Sequence, residues 1–208
     1  MNKKLKVYKA LQHIHIVESN MNIFVSKGLT TLGEMMVDRS DTDYANFING
    51  YSIADIKSIV SHKQVFALDY NNRLRIIFHI ASRFKIADIK KMFDDPFEIY
   101  IVVVRQKMTT TNLKTINEIK KDIQVFELKE LQFNISRHML VPKHELVKNP
   151  VIIASLIETF NTKSKSQFPS ILKTDAMARY INAKPGQFVK ITRYSPTSGF
   201  HYVYRSCI

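Results

Sequence analysis

The sequence predicts a mixed α+β chain in two parts: an N-terminal α/β unit over residues 1–133 and a small α+β unit over residues 134–208. Three observations predict it. The run Glu98-Ile-Tyr-Ile-Val-Val-Val-Arg is continuously apolar and β-branched, which marks a central strand buried on both faces of a sheet. Leu113 to Lys121, at helical spacing, and the alternating Ile123-Gln-Val-Phe-Glu-Leu follow it closely enough for a compact βαβ unit, right-handed if its strands are parallel. Near residue 133 the composition changes. Residues 1–133 carry 20 basic and 15 acidic side chains, a net of +5; residues 134–208 carry 11 and 3, a net of +8.

The elements follow in order. Residues 3–18 form a basic, weakly amphipathic stretch with helical character. Ile23, Phe24, Leu29, Leu32, Met35, Met36 and Val37 recur at helical intervals despite Gly28 and Gly33. Arg39-Ser-Asp-Thr-Asp-Tyr reads as a polar break, and Tyr51 to Val60 as a short helix with Ser52 at its N-cap. Val65 to Tyr70 and Arg73 to Ile80 read as a hairpin, because Asn71-Asn72 tolerates the positive φ of a tight turn. In the second strand Leu74, Ile76, Phe78 and Ile80 alternate with Arg73, Arg75, Ile77 and His79. Residues 84–93 return to helical spacing until Asp94-Asp-Pro stops them.

In the second unit, Phe133 to Val147 is extended and contains Pro142. Pro150 to Phe160 is a helix with Pro in its first turn. Thr174 is the expected N-cap of the next helix, with Asp175 favouring the positive end of its dipole. Pro185-Gly186 turns the chain. Gln187 to Arg193 and Phe200 to Arg205 alternate as a hairpin joined by the loop Tyr194 to Gly199.

Composition narrows the function classes. With 45% hydrophobic and 24% charged residues, the 208-residue chain is no disordered, collagen-like or rod-like sequence. Its longest apolar run, Ile99 to Val104, is too short to span a bilayer, so no membrane partner is expected. The single Cys207 allows no internal disulfide, which favours a reducing compartment. The basic start is followed by His13, His15, Glu18 and Asn20, unlike the apolar core of a signal peptide. A net charge of +13 favours polyanionic partners or a complex that contains one.

No catalytic residue, metal or cofactor is expected. Seven histidines without HExxH, and one cysteine, make no metal-ligand pattern. There is no GxSxG, and the glycines at 28, 33, 50, 186 and 199 are too scattered for a phosphate-binding loop. A metal-dependent nuclease needs convergent carboxylates on neighbouring strands. Asp69 precedes the hairpin turn, but strand 73–80 has no acidic residue, and Asp94 and Asp95 lie in the helix-stop loop.

The remaining signal is binding, and it has a family pattern. The segments are Asn134-Ile-Ser-Arg-His-Met-Leu-Val-Pro-Lys-His-Glu, Thr174-Asp-Ala-Met-Ala-Arg-Tyr, Lys184-Pro-Gly-Gln-Phe-Val-Lys-Ile-Thr-Arg and Ser195-Pro-Thr-Ser-Gly-Phe-His-Tyr-Val-Tyr-Arg. In this order they closely resemble the fifth subunit shared by eukaryotic nuclear RNA polymerases, whose archaeal counterpart is essentially this region alone. The departures are Ala176 for the family's Pro, Ile181-Asn182-Ala183 before the Lys-x-Gly turn, Pro196 in the hairpin loop, and Phe200-His201 for Arg-Tyr. The N-terminal half resembles the family more weakly, through Leu32-Gly-Glu-Met-Met-Val-Asp-Arg, Glu98 to Val104 and the turn Thr109-Thr-Thr-Asn-Leu-Lys. There Thr109 and Lys114 match while Thr110, Thr111 and Asn112 differ; residues 1–20 look like an extension.

The resemblance implies a non-enzymatic subunit of a DNA-directed RNA polymerase. Its N-terminal jaw would have a nuclease-like α/β sheet without nuclease chemistry and lie beside downstream duplex DNA. Its C-terminal assembly domain would dock on the largest polymerase subunit, among the other subunits. The location implied is the nucleus. The high Lys, Ile and Asn content also suits an AT-rich genome such as that of a large DNA virus, where the place would be a cytoplasmic virus factory or the virion.

The expected docking residues are His138, Pro142, Lys143, His144, Lys190, Arg193 and Arg205. A Pro-stiffened strip loses little entropy on binding, and Arg makes planar bidentate contacts. The expected DNA contacts are Lys107, Thr109, Thr110, Thr111 and Lys114, because a helix N-terminus offers backbone N–H groups and a positive dipole end to a phosphate. No aromatic accompanies them, so the contact would be sequence-independent; the competing role of the threonines is capping alone. The alternative class is a free-standing DNA-binding protein with a nuclease-like fold.

Overall fold

A computed structural model describes residues 20–119 and 123–208, so the helical stretch expected over 3–18 lies outside the described residues. The chain divides between Phe133 and Asn134 into two compact units. Each contains a four-stranded sheet, and the mixed α+β class holds. Among the described residues no helix is long and apolar enough to cross a membrane.

The first unit opens with α1 (Met21–Asp38), α2 (Thr42–Asn49) and α3 (Ile53–His62). In α1 the expected helical stripe is buried at Leu29, Leu32, Met35 and Met36, with Val25 added to it, whereas its end members Ile23 and Val37 are exposed. Its two glycines mark close approaches: a Cβ at Gly33 would collide with the Asn49 side chain, and one at Gly28 would stand 3.2 Å from Leu128 Cδ1. The polar break expected at 39–44 is a correction. Only Arg39, Ser40 and Asp41 lie outside the helices, and α2 starts at Thr42 because Tyr44, Ala45 and Ile48 share a buried face. Ser52 caps α3 as expected, in a reciprocal capping box with Asp55.

The sheet follows as β1 (Val65–Tyr70), β2 (Leu74–His79), β3 (Ile99–Val104) and β4 (Gln124–Glu127), in spatial order β1-β2-β3-β4. β1 and β2 are antiparallel across Asn71 and Asn72, both at positive φ, with Arg73 completing the turn. β2, β3 and β4 run parallel, so β3 is an inner strand of the sheet, and β3 and β4 are the two strands of the expected βαβ unit. Its crossover helix α5 (Thr110–Ile119) begins three residues before the expected start at Leu113. Between β2 and β3, residues 84–93 yield only α4 (Ile86–Lys90) and a 3-10 turn, Lys91–Phe93, rather than one helix.

The sheet is buried on both faces. Ile77, Tyr100, Val102 and Val104 pack with Ile89 of α4, Phe93 of the turn after it and Ile116 of α5. Residues of opposite parity, Ile76, Phe78, Ile101 and Val103, are also buried. On that side Arg39 Nη2 donates to Gln124 Oε1 at 3.0 Å, and the Tyr44 ring meets Tyr70 edge-on. Arg75 and His79, which alternate with the apolar residues of 73–80, are themselves only 8% and 1% exposed. An inner strand of a two-sided sheet has no wet face.

The second unit has the sheet order β5-β7-β8-β6, from β5 (Lys143–Val147), β6 (Ser170–Ile171), β7 (Phe188–Ser195) and β8 (Gly199–Cys207). Residues 133–142, expected as extended, instead form a 3-10 turn at Ile135–Arg137 before β5. α6 (Pro150–Thr159) has Pro150 in its first turn, and Asn149 Oδ1 caps it. α7 (Ala176–Tyr180) is capped by Asp175, not Thr174: Asp175 Oδ1 accepts from Met177 N and Ala178 N at 2.8 and 3.2 Å. The β7–β8 turn is shorter than the expected loop, because Tyr194 and Ser195 stay in β7 and pair with Phe200 and Gly199. Gly186 and Gly199 hold positive φ at the two turns.

Candidate partner and nucleic-acid interfaces

Strand parity assigns the candidate residues of β5, β7 and β8 to opposite faces of their sheet. Val189 and Ile191 point into a core with Ile171, Ala178, Ala183 and Cys207, which α7 helps to form. His144, Arg193 and Arg205 share that face, since His144 pairs with Ile191 and Arg205 with Val189. Lys143 and Lys190 lie on the other face, with Thr192, Tyr202 and Tyr204. At the inner end of this second face Phe188 packs with Leu156 of α6 and Phe168. The seven expected docking residues are thus not brought into one patch.

Local bonds fix several of them. His138 Nδ1 accepts from Leu140 N at 3.2 Å, shaping the turn before Pro142. The Pro142 carbonyl can only accept, so the His144 Nδ1–H donates to it at 2.7 Å. Burial pushes the His144 imidazole below its ordinary value. The Pro142 bond and Asp175 pull it up, and Arg193 and Arg205 push it further down. Arg205 Nη1 donates to Ser170 O at 2.8 Å, tying β8 to the short β6. Lys143 pairs with Glu145 at 2.7 Å on the surface, a contact worth only ~0–1 kcal/mol. Lys190 Nζ stands 4.0 Å from the Tyr202 ring centroid.

In the first unit the threonine turn does open α5. Thr109 Oγ1 accepts from Asn112 N at 3.3 Å, so Thr109 is the cap. Thr110 and Thr111 lie exposed in the first turn, between exposed Lys107 and Lys114, while Met108 is buried and anchors the turn. Capping and a phosphate contact are geometrically compatible, because the cap occupies the N–H of Asn112 alone among these bonds.

The constellation that sequence reasoning missed surrounds Arg75. Its Nε and Nη2 fork onto Asp69 at 2.7 and 2.6 Å, and Nη1 donates to Asp95 Oδ2 and Met92 O, each at 2.8 Å. Hydrogen bonding to Asp69 raises its pKa further. The guanidinium lies 4.2 Å from the Phe97 ring centroid. Asp69 and Asp95 therefore do converge, but on a cation of the chain itself. Among the described residues no group of three or more His, Cys, Asp and Glu is placed to hold a metal ion.

Comparison with known proteins matches residues 133–207 to the family described as RNA polymerase Rpb5, C-terminal domain. The "DNA-directed RNA polymerases I, II, and III subunit RPABC1" of Caenorhabditis elegans is 31% identical over 158 residues, 73% of this chain and 72% of that protein. The chain belongs to the RNA polymerase subunit 5 family. A Dictyostelium discoideum member, a subunit of polymerases I, II and III, is 31% identical over 148 residues, 67% of this chain and 74% of its own length. The "DNA-directed RNA polymerase subunit 5-like protein 1" of Arabidopsis thaliana is 39% identical over 120 residues, 57% of this chain. The match spans just over half of that plant protein, 56%. The family's C-terminal domain coincides with the unit that carries β5 to β8.

Proposed function

We propose that the chain is a non-catalytic subunit of a multisubunit DNA-directed RNA polymerase. The observation that carries this is the match of a family of polymerase subunits through both units, with the C-terminal family domain matched over residues 133–207. In this reading residues 134–208 are the assembly domain, docking on the largest polymerase subunit as the short archaeal counterpart would. The first unit is a jaw with a nuclease-like sheet beside downstream duplex DNA, and the protein works in the nucleus. The face bearing His144, Arg193 and Arg205 is the better docking face. It places two guanidinium groups and an imidazole around one row of a packed core, where planar bidentate recognition of carboxylates is strongest.

The test is tandem purification of a tagged full chain from its own cells, with mass spectrometry of what stays bound. Recovery of the large polymerase subunits supports the reading; recovery of the chain alone supports a free-standing DNA-binding protein. Arg193→Ala with His144→Ala should lower the recovery of polymerase by about tenfold or more, the loss typical of central interface residues. Lys143→Ala with Lys190→Ala should change it little. Equal losses from both pairs would show that docking uses both faces.

A further inference from the structure

The β7–β8 hairpin carries a row of rings that neither core of its unit uses. Tyr194, Phe200 and Tyr202 are 70%, 69% and 55% exposed. They share one face, because Tyr194 pairs with Phe200, and Tyr202 with Thr192, across the antiparallel ladder. The Tyr194 and Phe200 rings meet edge-on with centroids 5.5 Å apart, and the Lys190 ammonium caps Tyr202. Lys143, opposite Thr192 on β5, flanks the row. Glu145, the carboxylate paired with Lys190, is engaged by Lys143, so this part of the face keeps its positive excess. Single exposed rings need no explanation, but three side by side mark an interaction site.

We propose that this strip is a platform for single-stranded nucleic acid. Each ring offers a base a stacking partner, and Lys143 and Lys190 meet the phosphates between them. The geometry selects an unpaired strand. Positions two apart on a β-strand stand about 6.8 Å apart, twice the ~3.4 Å rise per strand of a stacked duplex. Phe200 and Tyr202 therefore suit bases splayed from one another, which a duplex does not offer. An acidic protein segment would satisfy the lysines alone, whereas three open rings beside two cations match planar groups strung on an anionic backbone. Stacking is sequence-tolerant, since every base has a π face, and single-stranded DNA and RNA share this chemistry. The inference stands apart from the polymerase reading.

The experiment uses the full chain and fluorescence anisotropy of labelled oligothymidylate and oligouridylate of about ten nucleotides, a length within known site sizes. The parent should bind both, with affinity falling as salt rises. Phe200→Ser with Tyr202→Ser should weaken binding by about tenfold or more while leaving the salt slope unchanged. Lys143→Ala with Lys190→Ala should instead flatten that slope by about 1.4, the share of two phosphates on a single strand. A loss confined to the DNA or the RNA arm supports the platform and names its ligand. Tyr194→Ser is the third variant, and melting temperatures equal to the parent's show that each has folded. Unchanged affinity in the ring variants overturns the proposal, as does a duplex that binds equally well and loses as much on ring removal. Ring variants that keep oligonucleotide affinity but lose polymerase subunits on purification also overturn it, and make the strip a protein interface.

Discussion

Replacing Arg75 with Met isolates the ion cluster that pins the first unit's sheet to the loop before β3. Met keeps an unbranched apolar stem and removes the guanidinium. The loss comprises a bidentate fork onto Asp69, two bonds at 2.8 Å to Asp95 and Met92 O, and the contact with Phe97. Removing one partner of a fully buried ion pair costs ~3–5 kcal/mol. Here the Asp69 and Asp95 side chains are 42% and 63% exposed, so both can turn to water and the ionic part falls below that range. The Met92 carbonyl loses a charged donor, ~1.5–3 kcal/mol, and Phe97 loses a cation, ~1–2 kcal/mol. With part of the packing kept by Met, the net expectation is about 3 kcal/mol, a large fraction of a stability of ~5–15 kcal/mol. At ~2–4 °C per kcal/mol the melting temperature should fall by about 6–12 °C. Circular dichroism melts of the full chain measure it, and Asp69→Asn, which breaks one arm of the fork, should cost less. A Met variant that melts with the parent would refute the reasoning. The cluster also bears on chemistry: with both carboxylates spent on Arg75, duplex DNA incubated with magnesium or manganese should stay intact. Cleavage that survives repurification and vanishes in Asp69→Ala would overturn that.

Three further outcomes are expected. His144 holds its folded pKa below the ordinary 6.5, so the unfolded chain takes the proton first. Its stabilising share is complete above that value and is lost as pH falls through the folded pKa. His144→Asn, whose amide can still donate to the Pro142 carbonyl, should therefore lose less melting temperature than the parent between about pH 7 and about pH 5. Residues 134–208 expressed alone should give dispersed amide resonances and a cooperative melt, of the modest stability usual for so small a unit; a gradual, featureless melt would count against independent folding. In assembled polymerase, Lys107→Ala with Lys114→Ala should weaken the grip on downstream duplex equally for all sequences and flatten its salt dependence by about 1.8, two B-DNA phosphates' worth. Crosslinks from this turn that never reach downstream DNA would restrict the threonines to capping.

What could be read in the sequence followed the range of the signal. Asn71-Asn72, Ser52 with Asp55, Pro150 and the β-branched run at 99–104 act through their own neighbours, and each element formed where its local chemistry placed it. The second helix escaped notice because Asp41-Thr-Asp reads as a break until Tyr44, Ala45 and Ile48 are seen to share a buried face. The burial of Arg75 and His79 has a longer-range cause. Alternation along one strand reports two faces but not what covers each, and α4 with its following turn brings cover from residues 86–97. β6 is two residues long and exists only through its pairing with Ser206 and Cys207. The division of the docking residues was half visible. Lys190 and Arg193 are three apart on one strand and so must face opposite ways, but the placement of Lys143 and His144 needed the register of β5.

That register also shows where the second unit is incomplete. β5 runs out at Lys143, opposite Thr192, whereas β7 and β8 continue pairing with each other through Arg193, Tyr194 and Ser195. Past that point the sheet is a two-stranded ribbon, and such a ribbon is marginal unless something packs on it. α6 supports one face only at the Phe188 end, and the core joined by α7 ends at Ile191. The outer ribbon is left with Arg193 and His201 on one side and Tyr194, Phe200 and Tyr202 on the other, all of them exposed. Strand parity keeps these two sets apart however the ribbon twists. A partner that reads guanidinium and imidazole on one side can therefore be bound without covering the rings, and a strand stacked on the rings leaves Arg193 open. Binding on either side should rigidify the same ribbon and so favour binding on the other. Saturating oligonucleotide should accordingly raise the chain's recovery of polymerase subunits at limiting concentration, and a fall in that recovery would place both ligands on one overlapping surface.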